Sequence, residues 1–125
     1  MFDLYNITGP VVNIIVVHTD GTLENRKVDM SPRLDPMGNV LGGPITIHGQ
    51  LHALETIIIK CQETDTEIEK NKHMLPPPFH NDIIYGNMVL VRMDKHAIPQ
   101  SIYSDEYLSF KQSNMHLRNG KVLKK

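Results

Sequence analysis

At 125 residues, with 13 basic and 14 acidic side chains, the chain has room for one domain and a formal charge of -1 with histidines neutral, which excludes a global attraction for nucleic acid or membrane. Its single cysteine, Cys61, excludes an internal disulfide and points to a reducing compartment; within the run ETIIIKC it reads as a small buried hydrophobe. No apolar run approaches the ~20 residues that span a bilayer, and the opening MFDLYNITGP lacks the charged region of a secretory signal, so the expected setting is intracellular, without membrane attachment.

The first element is VVNIIVVH, residues 11–18, β-branched and almost continuously apolar, which predicts a buried strand. Asp20-Gly21 then signals a tight hairpin, since a two-residue primed turn needs positive φ that Gly adopts freely and Asp tolerates. The more polar LENRKVDM completes the pair, with strands expected at 11–18 and 22–29. In SPRLDPMGNVLGG, Asp35 is placed to cap a short helix near 36–41 that has Pro36 at its first position and Gly42 or Gly43 past its end. Alternation in ITIHGQL and the β-branched run TIIIKCQ predict a second strand pair at 45–51 and 55–62.

Residues 63–82 open acidic, with Glu63, Asp65, Glu67 and Glu69, and continue into Pro76 to Pro78, which lack amide donors. A long surface excursion follows from this, held by Met74, Leu75 and Phe79 packing back onto the sheet. IIYGNMVLVRM, residues 83–93, returns to strand character. Ser104 then reads as an N-cap, Asp105 and Glu106 as first-turn acids, and Tyr103 with Leu108 as a hydrophobic staple, predicting a helix near 105–112. The expected architecture is α+β: a single domain over residues 1–112 built on a mainly antiparallel sheet of about five strands, followed by a basic C-terminal tail, 113–125.

Three runs, 11–17, 57–61 and 88–91, are apolar on both alternating faces, so their sheet must be covered on both sides. Two short helices are too little cover on this reading. The expectation is a closed barrel or sandwich, or a homodimer in which a second subunit covers one face.

Seven histidines invite a search for metal. His48 and His52 have HxxxH spacing, but Gly49 stands where a zinc protease has Glu, and residues four apart on a strand lie over ~13 Å apart. His80 and Asp82 are close in sequence, and Ser101 and Ser104 are available hydroxyls, yet no nucleophile-elbow turn surrounds either serine. GNVLGG has the outer spacing of a phosphate loop without its lysine, and it precedes a strand. No catalytic, cofactor-binding or metal residue is therefore assigned; an enzyme site folded together from His48, His52, His80 and Asp82 is the second rival. The first rival is a nucleic-acid-associated protein with Arg118, Lys121, Lys124 and Lys125 as candidate phosphate contacts, helped by Tyr103, Tyr107, Phe110 and Lys111 on the last helix.

LGGP at 41–44, LPPPFHNDIIYGNMVLV at 75–91 and IPQSIYSDEYLSF at 98–110 together resemble a family of short uncharacterised proteins of Marseillevirus-type giant DNA viruses, and the same order of elements is similar to a phage domain of unknown function. The likeness covers roughly residues 11–112 and carries no catalytic residues. It implies a viral source and a role in the virion or the host cytoplasm. The leading expectation is a non-enzymatic structural or interaction protein that self-associates as a dimer, needs no cofactor, and contacts other viral or host proteins through the 63–82 loop and the tail.

Overall fold

The apolar runs become strands, and their bounds follow the turn chemistry between them. The computed structural model describes residues 9–62 and 68–118, the last four as backbone only. Strands β1 (Val11–Val17) and β2 (Leu23–Asp29) form the first hairpin, α1 (Pro36–Leu41) follows, and β3 (Ile45–Leu51) and β4 (Thr56–Cys61) form the second. After the long connection come β5 (Met88–Met93), the two-residue β6 (Pro99–Gln100) and α2 (Ser104–Arg118). All pairings are antiparallel in the order β2-β1-β5-β4-β3, with β6 added to β5. The α+β architecture is thus the expected one.

Local chemistry accounts for the differences. The β1–β2 turn is not a primed two-residue loop: Gly21 N–H donates to the His18 carbonyl at 2.8 Å, and Gly21 (φ +93), not Asp20, takes the positive φ. The Asp20 carboxylate instead accepts from the Thr22 amide and hydroxyl. α1 ends as expected, the amides of Gly42 (φ +82) and Gly43 both reaching back to the Gly38 carbonyl, whereas Asp35 makes no side-chain cap bond. The strand expected from residue 83 starts only at Met88, because 83–87 continue the connection: Ile84 is buried, and Tyr85 makes an isolated bridge to Lys70.

β6 was invisible as a strand because it has two residues, one of them proline. It occupies a gap. β1 pairs with β5 only from Ile15 to Val17, and beyond that Asn13 turns to the segment after β6, taking bonds from the Ile102 amide and giving its own amide to Ser101 Oγ. Asn13 Nδ2 also donates to the Ile102 carbonyl at 2.7 Å, so this buried amide is satisfied rather than exposed to a cost of a few kcal/mol.

α2 runs to Arg118, six residues past the expected end at 112 and into the segment expected as a tail. Within this extension the Asn114 side chain stays on the helix, its Nδ2 donating back to the Phe110 carbonyl at 2.9 Å. At the other end, Tyr107 N–H bonds the Tyr103 carbonyl, which makes Tyr103 the capping position, and Ser104 exchanges bonds with the Asn25 side chain instead of capping. Tyr103 and Leu108 are both half exposed and form no closed staple.

The sheet has two apolar faces, and one chain covers both. On one, Ile15, Val17, Ile58, Met88 and Leu90 pack beneath Tyr107 and Phe110 of α2 and beneath Leu75, Phe79 and Ile84 of the long connection. Leu75 and Phe79 therefore pack as expected, while Met74 stays exposed. On the other, Val12, Ile14, Val16, Ile59, Val89 and Val91 pack against Met37, Val40 and Leu41 of α1. Val28 at one sheet edge and Ile45 at the other pack against this same cluster. The expectation that the chain has too little of its own to cover both faces therefore fails, because the long connection shares one face with α2. Closure into a barrel is also absent among the described strands, since β2 and β3 are both edges.

Candidate functional site

β3 carries a bulge where its sequence places a glycine. The register with β4 is regular from Ile45 to Ile47 and shifts before Gly49, leaving His48 unpaired opposite the ladder. A bulge turns neighbouring side chains toward one face. Here His48 and Gly49 both meet the long connection: the Phe79 ring lies at 5.5 Å, edge-on, from the His48 ring, and a Cβ added to Gly49 would collide with Phe79 Cζ. Only glycine admits the ring so close. A glycine inside a strand pattern, here Gly49 after the β-branched Ile45–Ile47, is the sequence signal for such a close approach.

Asp82, three residues beyond Phe79, completes the arrangement with Oδ2 2.7 Å from His48 Nε2. The imidazole is mostly sheltered, its side chain 15% exposed, and the carboxylate is 40% exposed. Of the four residues in the enzyme rival, folding joins these two. His52 lies exposed in the short helical turn His52–Leu54, and His80 Nδ1 is buried with no hydrogen-bond partner. No group of three or more His, Cys, Asp or Glu among the described residues is arranged to hold a metal. A carboxylate against an imidazole can orient it as a base, but no hydroxyl or thiol among the described residues bonds to His48. Ser101 Oγ accepts from the Asn13 amide, Ser104 Oγ from Asn25, and the part-buried Cys61 thiol donates to the Leu41 carbonyl at 3.6 Å.

A second histidine pair, which sequence reasoning missed, lies under α2. His73 Nε2 is 2.8 Å from Tyr107 Oη, and Tyr107 is fully buried. Burial, then the nearby Lys111 ammonium, pushes the His73 ring down to about 4, against the opposing Gly21 carbonyl. It is therefore neutral near pH 7, accepting from a phenol that burial keeps protonated. Arg92 is a third anchor, with bonds to the Leu54 and Ser101 carbonyls and two to the Glu106 carboxylate. Tyr107 and Phe110, weighed as base-stacking rings, belong to the core. Of the candidate phosphate contacts, Arg118 ends α2, and Lys121, Lys124 and Lys125 lie outside the described residues.

The two sheet edges differ. On β2, Glu24 and Arg26 pair at 2.9 Å beside Lys27 and Asp29, and hydrogen bonds from Arg26 and His18 hold the Glu24 carboxyl down at about 2. Edge charges of this kind oppose pairing with another strand. On β3, ITIHGQL has no Asp, Glu, Lys or Arg, and Ile47 is 63% exposed. The Gln62 amide donates to the Pro44 carbonyl, which fixes the alternation: Thr46 faces β4, and the amides and carbonyls of Ile45 and Ile47 point to the open edge. A Cβ built on Gly42 or Gly43, just ahead of it, meets nothing.

Residues 15–110, which hold both histidine pairs and the open edge, match the profile of a family of unknown function, DUF5880. No curated protein and no solved structure matches the chain.

Proposed function

We propose that this chain, which belongs to the DUF5880 family of unknown function, is a non-enzymatic interaction protein that associates with copies of itself. The observation that carries the reading is the open edge of β3, whose outward backbone groups have no partner among the described residues while both sheet faces are closed. An unpaired, uncharged edge is a template for another strand. The polar side chains offer less: both histidine pairs, Arg92, Ser101 and Ser104 are committed to bonds that hold the fold. Sedimentation velocity of the full chain over a range of concentrations tests the reading. A concentration-dependent dimer is expected, and a monomer up to on the order of 200 µM, beyond the range of a specific interface, overturns it.

The resemblance of residues 41–44, 75–91 and 98–110 supports a giant-virus source and a place in the virion or host cytoplasm as part of the same proposal. Mass spectrometry of purified particles is the check, with the protein expected among their components. A nucleic-acid reading has one observation in its favour: α2 continues to Arg118, the first of the four candidate phosphate contacts. On that reading, replacing Lys121, Lys124 and Lys125 by glutamine lowers affinity for duplex DNA and reduces the slope of its salt dependence by up to about 3. Absence of binding at low salt removes it.

A further inference from the structure

We infer that two copies join their sheets through residues 45–47 of β3, antiparallel, about a two-fold axis at Thr46; the inference rests on the self-association proposed above. The alternation along β3 selects this register. Hydrogen bonds across an antiparallel edge form between residues whose backbone groups both point outward, which before the bulge are Ile45 and Ile47. A two-fold axis at Thr46 sets Ile45 of each copy opposite Ile47 of the other, so each pair exchanges both of its bonds. An axis at Ile47 would instead bring the bulged residue His48 into the ladder, where the register is already broken.

Side chains agree with the backbone. Ile45 and Ile47 lie on the α1 face, where Ile45 already packs into the core and Ile47 is exposed, so the axis gathers four isoleucines into one apolar strip continuous with that core. On the opposite face the two Thr46 side chains meet as a non-hydrogen-bonded pair, Cα atoms about 4.5 Å apart, a favourable cross-strand match. Residues 45–47 carry no charge, so the axis opposes no like charges; the same operation on β2 would bring together strands bearing Glu24, Arg26, Lys27 and Asp29. A second copy is favoured over a foreign strand because Ile45 and Ile47 exchange roles under the axis, and nothing at the edge selects a different side chain. His48 bound to Asp82 and Gly49 under Phe79 hold the strand beyond the bulge against the long connection, which confines the free edge to three residues.

Two variants of the full chain decide it. Ile47→Lys puts a charge on each side of the axis while leaving a side chain that is already exposed, and it raises the dimer dissociation constant at least about tenfold with the circular dichroism spectrum unchanged. Thr46→Cys, in a Cys61→Ala background, gives a disulfide-linked dimer under mild oxidation, whereas Gln50→Cys beyond the bulge does not. If wild type is a monomer, self-association itself fails. If wild type is a dimer that survives Ile47→Lys and yields no Thr46→Cys cross-link, the copies meet elsewhere and this inference alone falls.

Discussion

His48 and His73 each hold a ring nitrogen within hydrogen-bond distance of a side-chain oxygen, at 2.7 and 2.8 Å, and each ties the long connection to another element. Their surroundings make them different objects. His73 sits against a fully buried phenol, with the Lys111 ammonium nearby. His48 sits at an edge strand against a carboxylate that is 40% open to water. Pairing distance is the same in both, and burial decides what each contributes: the inner pair is a neutral, pH-sensitive part of the core, and the outer pair is a surface tether positioning a bulge.

The largest test of that contrast is truncation of the inner partner. Tyr107→Ala removes a fully buried ring from the α2 face and leaves His73 Nε2 without its donor, with an expected loss of about 3–5 kcal/mol in urea unfolding. Tyr107→Phe, which keeps the ring, costs about 1–2 kcal/mol. If Ala and Phe cost the same, the hydrogen bond and not the packing dominates, and the inner pair is not what its burial implies.

Acid comes next. The folded ring titrates at about 4 and an unfolded one near 6.5, so between these values the unfolded chain takes up a proton that the folded chain refuses. His73's contribution is complete above pH 6.5 and is lost as pH falls toward 4. For a part-exposed ring the loss is at most about 2 kcal/mol. His73→Gln should flatten stability over that range; an unchanged acid slope in this variant would assign it to other groups.

At the outer pair the packing is backbone against ring. Gly49→Ala drives a Cβ into Phe79, a ring only partly buried and able to shift, so about 1–2 kcal/mol is expected. The displaced ring would carry Asp82 with it, and loss of the His48–Asp82 contact should appear in the imidazole NMR resonances. A Gly49→Ala protein with wild-type stability and unchanged His48 signals would mean that the bulge does not depend on this approach.

The sheet was legible in residues 11–17, 45–51, 56–61 and 88–93 because β-branched or alternating apolar runs leave few alternatives, and a glycine at positive φ, Gly42, ends α1. What escaped depends on contacts far apart in sequence. Tyr107 beneath His73 spans 34 residues, as does Asp82 beside His48, and no local pattern carries either. Cover for the two apolar faces escaped for the same reason: Leu75, Phe79 and Ile84 of the connection share one face with α2, and Met37, Val40 and Leu41 of α1 pack on the other. Self-association rests on different ground, an edge whose two outward residues, Ile45 and Ile47, were legible only once the register was known.

The smallest effect belongs to Asp82→Asn. The amide can still accept from or donate to His48 Nε2, so the contact keeps its geometry and loses only the attraction between a carboxylate and whatever positive charge the imidazole carries. With the carboxylate 40% exposed, that attraction is screened by water and salt, and the expected cost is about 0.5 kcal/mol or less, vanishing at high ionic strength. Urea unfolding at low and high salt measures it. A cost above about 2 kcal/mol, independent of salt, would place the outer pair in the same class as the inner one. The bulge would then be clamped from within, and the three-residue edge of β3 would owe its confinement to a core interaction instead of a tether at the rim.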